Sequence, residues 1–283
     1  MNVTLPEKDT IPKKRLILYI IAISVCILAI IVIIGIQVLG NDIIDEFFGI
    51  SKITKKTEEE EEELKANFET LFQNQLENKN NNDVKKIDEN KDIVYTSYYK
   101  DDKSTGNYEL NINIPCINIK NKTAQDYNEE IKNTFEEKAE EVLKSTDNNV
   151  IYTVKYEAYI ENNILSLIIY SDLKQNTSAQ RVIVQTFNFN LENNQKLTLE
   201  DIIKIYGLNT QDVKNKINTE IKKEDKKAQD LKSLGYNVFS RDTNSDIYDI
   251  ENATEFFVHN NNLYIIYAYG NDRITSEKDI VVI

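Results

Sequence analysis

The sequence has no tryptophan, one histidine, one methionine, two cysteines, three prolines and seven glycines in 283 residues. A metal centre that needs two histidine ligands cannot be assembled from His259 alone. Serine–histidine hydrolysis would have to use that same residue, at an expected hairpin turn in Phe257-Val258-His259-Asn260, and no Gly-x-Ser-x-Gly elbow accompanies it. The ordinary expectation for His259 is an exposed turn residue. Cys26 sits in an apolar run, so Cys116 has no disulfide partner in the rest of the chain, which suits a Gram-positive type of surface protein. Cys26 is also a poor lipidation site, because Val25 precedes it where a small residue is required and apolar sequence continues to Ile36. Basic residues are outnumbered, 34 Lys and Arg against 47 Asp and Glu, for a net charge of -13. Such a surface repels nucleic acid and anionic headgroups and favours cationic partners.

From Leu16 to Ile36 the chain runs without a charge, and the first charged residue after Arg15 is Asp42. A membrane-crossing helix needs about 20 apolar residues, so the sequence predicts a transmembrane helix over 16–39. Lys13, Lys14 and Arg15 precede it while Asp42, Asp45 and Glu46 follow it. The positive-inside bias therefore makes 1–15 a cytoplasmic tail and sends 40–283 to the outside of the cell membrane.

Residues 40–91 read as a juxtamembrane stalk and linker. Leu64, Phe68, Leu71, Phe72 and Leu76 recur at helical spacing after six glutamates, Glu58 to Glu63, which predicts one amphipathic helix with negative charge in its first turns. Docking on its own domain, pairing with a second copy and receiving a partner are all open to its apolar stripe. The polar, turn-rich stretch after it reads as a linker.

Two α+β units follow, with antiparallel sheets each packed by helices. The first, 92–195, has strands over 93–99, 108–119, 150–160, 164–170 and 181–190. Thr123 is the expected cap of a helix whose Tyr127, Ile131, Phe135, Ala139 and Val142 share a face. Pro115 implies a bulge or an edge position, and Asn162-Asn163 a tight turn. The second, 196–283, has a short helix after Thr198 ended by Gly207. A longer helix after Thr210 carries Val213, Ile217, Ile221, Leu231 and Leu234 and closes at Gly235, and three terminal strands follow it.

The block from Tyr156 through Ile203, with its Tyr-containing strand, Asn-Asn turn, Ser/Ile-rich strand and Leu197-Thr198-Leu199-Glu200-Asp201 helix start, resembles the extracytoplasmic domain pair of anti-sigma-V (RsiV-like) factors. It also resembles the non-catalytic N-terminal domain of PdaC-type peptidoglycan deacetylases. The likeness spans about 92–283. It departs at Thr177-Ser178-Ala179-Gln180, where many relatives have a Gly-Gly-Ala-His turn.

The resemblance implies a PdaC-like first unit, an RsiV-like second unit, and binding of a cationic muramidase such as lysozyme or of a peptidoglycan component. A fifteen-residue tail is short for a sigma-factor interface, which takes about 800 Å² per partner, so a sigma partner is not expected. No cofactor, metal or catalytic residue is expected, and the reading is a non-catalytic binding or sensor protein. A cell-wall glycan hydrolase and an envelope assembly factor are the rival readings. Lys is the default cation here, which draws attention to the rare arginines Arg181, Arg241 and Arg273 as candidate ligand contacts, since a planar fork is chosen for specific pairing. Tyr267 and Tyr269 join them, sharing one face of a strand while Tyr264 takes the other. Asp242-Thr243-Asn244-Ser245-Asp246 opens like a calcium loop but lacks the glycine and the glutamate that such a loop requires.

Overall fold

The computed structural model describes residues 53, 56–77, 84–104, 108–144, 149–269 and 277–283. The expected cytoplasmic tail, the span over 16–39 with Cys26, the start of the stalk and Arg273 lie outside them. Among the described residues no helix is long and apolar enough to cross a membrane.

Helix α1, Glu58–Ala66, begins at a capping box. Thr57 accepts from the Glu60 amide at 3.3 Å, and Glu60 Oε2 accepts from the Thr57 amide at 2.8 Å. The single amphipathic helix expected here is shorter than its periodicity suggested. It stops at Ala66, a 3-10 turn takes Phe68–Leu71, and the chain then extends into strand β1, Leu76–Glu77. The apolar spacing is satisfied because Phe68 and Phe72 are buried in the core, which overrides helical continuation.

The large sheet holds β2 (Val94–Ser104), β3 (Tyr108–Ile117), β4 (Val150–Glu161), β5 (Ile164–Gln175), β6 (Arg181–Asn190) and β7 (Gln195–Lys196) in that order, with β1 also on β4. It is not purely antiparallel, contrary to expectation. β3 runs parallel to β4 over Tyr108–Ile112, and β1 runs parallel to β4 at Ala158 and Tyr159. A parallel neighbour needs a crossover. Helix α2 (Lys122–Ile131), a π turn over Lys132–Glu136 and helix α3 (Glu137–Lys144) supply it. Asn121, not Thr123, caps α2, accepting from the Ala124 amide at 2.8 Å. Pro115 lies opposite Thr96, where β2 is bulged and β3 has already left β4. The segment read as linker is tied down at its end. Asn118, 2 % exposed, accepts from the amides of Ile87 and Asp88 and donates to the Asp88 carbonyl.

Helices α4 (Leu199–Ile205) and α5 (Thr210–Ser233) precede the small antiparallel sheet of β8 (Glu255–His259), β9 (Asn262–Tyr269) and β10 (Glu277–Val282), ordered β10-β9-β8. Thr198 caps α4 in a capping box with Asp201, whereas Asn209 caps α5, one residue before the expected Thr210. Leu231 of α5 and Leu234, which caps its C-terminus, are exposed.

Strand alternation sorts the core into layers. Tyr152, Val154, Tyr156 and Ala158 of β4 pack with Tyr127, Ile131 and Phe135 under the crossover helices. Phe256, Val258, Leu263 and Ile265 pack under α4 and α5. Between the sheets lie Tyr159, Ile168, Tyr170, Phe257, Tyr264 and Ile266, together with Phe68 and Phe72. The result is α+β in four layers, helix, sheet, sheet, helix. Residues 52–283 form one compact unit, and the expected boundary between 195 and 196 falls inside β7.

With so few glycines, asparagine takes the left-handed turns. Asn162 and Asn163 (φ 50° and 59°) join β4 to β5, and Asn260 and Asn261 (φ 49° and 58°) join β8 to β9.

Candidate functional site

A cleft of about 450 Å³ opens where the large sheet, the crossover helix and the approach to β8 meet. Four stretches of chain build it. Helix α2 contributes Tyr127 and Glu130, β6 contributes Gln185 to Asn188, β7 and the start of α4 contribute Lys196 to Glu200, and residues 250–256 close the far side. Its charged lining is four carboxylates, Glu130, Glu200, Glu251 and Glu255, and one ammonium, Lys196.

Glu255 is placed by β6. Its Oε2 accepts from the Thr186 amide at 2.6 Å, while Thr186 Oγ1 accepts from the Phe256 amide at 3.1 Å. Burial pushes the Glu255 carboxyl above the ordinary carboxylate range; bonds from Thr186 oppose this and the Glu130 charge adds to it. Glu130 accepts from Gln185 Nε2, which leaves Gln185 Oε1 buried without a hydrogen-bond partner. Tyr127 is 5 % exposed and its hydroxyl also lacks a partner. Phe187 packs on the Tyr127 ring at 4.7 Å, and the Lys196 ammonium lies 5.7 Å from its centroid. Glu251 reaches out to Lys214 at 3.6 Å. The cleft therefore presents oxygen acceptors and net negative charge, with one internal cation held against an aromatic ring.

Of the residues proposed from sequence, Arg181, Arg241, Tyr267 and Tyr269 do not line it, and Arg273 lies outside the described residues. Arg241 is 6 % exposed at its side chain and forks onto Asp279, through Nε at 2.9 Å and Nη2 at 2.7 Å, with Glu277 at 3.2 Å. Its guanidinium also lies 5.4 Å from the Tyr269 ring. Tyr267 and Tyr269 do share a face, but it is the face buried under α4 and α5, and Tyr269 is hydrogen-bonded to Tyr248 at 2.9 Å. Arg181 is exposed at the start of β6. Arg241, Tyr267 and Tyr269 are thus occupied by internal contacts.

His259 is not an exposed turn residue. It is 8 % exposed and stacks on Tyr159 at 3.8 Å, and burial pulls its pKa down to about 4. Asp242 forms a local turn, accepting from the Asn244 amide at 3.1 Å. Among the described residues no cluster of three or more His, Cys, Asp or Glu is placed to hold a metal.

Little along the chain pointed to the cleft. Its residues come from four separated stretches, and each Glu is ordinary in a chain with 47 acids.

No known family profile matches the chain, and no curated protein does. Among solved structures it is similar to a DUF3298 family protein from Pseudomonas aeruginosa, at 11% identity and a TM-score of 0.35 over 60% of this chain and 79% of that one. It is also similar to a DUF3298 family member from Bacteroides fragilis, at 13% identity and a TM-score of 0.33 over 62% and 80% of the two chains. Neither likeness is high enough to carry an activity or a ligand across.

Proposed function

We propose that the chain is a single-pass envelope protein whose outer part binds a cationic, wall-associated protein such as a muramidase and performs no chemistry. The observation that carries this reading is the cleft between α2, β6 and residues 250–256, where four glutamates face one lysine. Opposite charge across an interface speeds encounter and sets register. The apolar run at 16–36 and the RsiV-like wording of 156–203 support the reading of an outward-facing ectodomain with a cytoplasmic N-terminus. Hen lysozyme pulled down by the full chain at low salt and released at high salt is the expected outcome. No retention at either salt overturns the reading.

One observation favours glycan hydrolysis as the second reading. Glu255 has a raised carboxyl within the influence of Glu130, which is how an acid partner in a carboxylate pair is prepared. Clearing of a cell-wall suspension that is lost in Glu255→Gln would establish it in place of binding.

A further inference from the structure

We infer that the uncovered end of the large sheet is a platform for an uncharged glycan chain, with Tyr99 stacking on a sugar ring and Asp101, Asn111 and Thr153 serving its hydroxyls. This platform is separate from the cleft, which none of the four lines, and it stands or falls independently of the binding reading above.

Strand register builds it. Odd-numbered residues of β4 and even-numbered residues of β5 face the small sheet, where Tyr159, Ile168 and Tyr170 are buried. Cover ends near Tyr170, whose hydroxyl is met by Lys278 of β10 at 3.5 Å. Past that margin the same face runs on into solvent from β5 to β2, leaving Ile151 45 % and Tyr99 64 % exposed. One cross-sheet row is polar on every strand. Asp101 on β2 stands opposite Asn111 on β3, Asn111 opposite Thr153 on β4, and Thr153 opposite Asp172 on β5. Tyr99 and Asn113 form the adjoining pair, and Asn113 Nδ2 donates to Asn111 Oδ1 at 3.3 Å.

Two features set this surface apart from an ordinary solvated sheet face. Asparagine and aspartate are depleted in strands, yet Asp101, Asn111, Asn113 and Asp172 share one face within β2, β3 and β5. Tyr99 beside them is the most exposed aromatic side chain of the described residues.

Charge selects the partner. On a chain of net charge -13 this face is balanced, Asp101, Glu109 and Asp172 against Lys103, Lys155 and Lys174. Most of that charge is already spent locally. Lys103 pairs with Glu109 at 2.6 Å, Lys174 turns to the Ser178 carbonyl, and Gln180 Nε2 donates to Asp172 at 2.8 Å. Neither a polyanion nor a cationic protein gains from such a surface, and its two apolar side chains are too few for the dry centre of a protein interface. What it offers is amide, carboxylate and hydroxyl groups beside one ring. Asp101, Thr153 and Tyr99 make no side-chain hydrogen bond with the described residues. A glycan brings hydroxyls that both donate and accept, and a C–H face that packs on an aromatic ring. Neighbouring strands lie about 4.8 Å apart, close to the repeat of a β-linked sugar chain, so a chain laid across them meets one polar side chain per sugar.

The test titrates the full chain, held in a sugar-free detergent, with cellohexaose and with chitohexaose, following the side-chain amide NMR signals of Asn111 and Asn113. Saturable shifts with at least one of the two sugars, insensitive to added salt, are the expected result. Tyr99→Ala and Asn111→Ala, at exposed positions that keep the melting profile, should each weaken binding by about tenfold, whereas Tyr99→Phe keeps the ring and most of the affinity. No shift with either sugar, binding abolished by salt, or binding that survives Tyr99→Ala combined with Asn111→Ala overturns the inference. Shifts of the two amides with protein concentration alone would give the face to a second copy and overturn it as well. Lysozyme retention lost in Tyr99→Ala would give the face to the protein ligand, overturning the glycan platform and leaving the binding reading intact.

Discussion

The backbone amide of Gln73 donates to Glu157 Oε2 at 2.6 Å, so a carboxyl with no exposed surface fastens the N-terminal segment to the middle of the large sheet. The second oxygen of Glu157 has no hydrogen-bond partner. Glu77 approaches from β1, Tyr159 stands beside it on β4, and His259 on β8 lies 3.9 Å from Glu77.

This pair makes stability depend on pH. Burial, opposed by the Gln73 amide and aided by Glu77, raises Glu157 from 4.5 to about 8. Between those values the folded chain holds a proton that the unfolded chain has lost, so stability falls as pH rises from about 4.5 to about 8. His259 acts with opposite sign. Lowered from 6.5 to about 4, it adds stability as pH rises across that window. Glu157→Gln should remove the loss above pH 6.5 and raise the melting temperature at pH 8 relative to wild type. An unchanged pH profile by thermal unfolding would refute this account.

Arg241 and Asp279 form a buried fork at 2.9 and 2.7 Å. Arg241→Ala strands the buried Asp279 charge and should cost about 3–5 kcal/mol in urea unfolding. The double variant Arg241→Met with Asp279→Leu should cost less than the single one, because the carboxylate it leaves without a cation is Glu277, which is partly solvated, and not the buried Asp279.

Two kinds of contact hold α1 and the turn after it, and they differ in size. Lys223 reaches Glu58 and Glu62 at 2.9 Å on a largely solvated surface, so Lys223→Ala should cost under about 1 kcal/mol and less at high salt. Phe68 is 1 % exposed and meets Phe72 edge-on at 5.3 Å. Phe68→Ala should cost about 3–5 kcal/mol. Lys65 with Glu220 at 2.5 Å lies between these extremes, being more buried than Lys223.

Asn261 combines a φ of 58° with a buried side-chain oxygen that has no partner. Asn261→Gly relieves both and should leave stability equal or higher. Asn261→Ala keeps the strained backbone and should cost about 1 kcal/mol. Chemical denaturation of the two variants checks the order.

Strands and turns were legible where a local rule decides them. Asn162-Asn163 lies where a left-handed pair was needed, and the alternation over 150–156 matches the burial of β4, while 156–160 is buried on both faces. The start of α4 at Thr198 was legible, but those of α2 and α5 were missed by two and one positions, because Asn121 and Asn209 cap as well as the threonines that follow them. Parallel pairing of β3 with β4 was not legible, since strand composition is silent about direction and only the crossover through α2 and α3 enforces it. Phe68 and Phe72 were recognisable as an apolar stripe. Nothing local revealed that the stripe would sit between two sheets and not along a helix. The acidic cleft was hidden for a related reason, since Glu130, Gln185 and Glu255 meet only after all four layers have assembled.

The flank of β4 is divided between two donors, with β3 covering residues 150–154 and Leu76–Glu77 covering 158–159. A chain severed ahead of Val84 would keep its first donor and lose its second. The uncovered stretch would then present bare amides and carbonyls, beside a carboxyl robbed of its amide, to any extended segment passing by. Clipping at that point would thus convert a finished margin into a sticky one and drive copies of the remainder to add strands to each other.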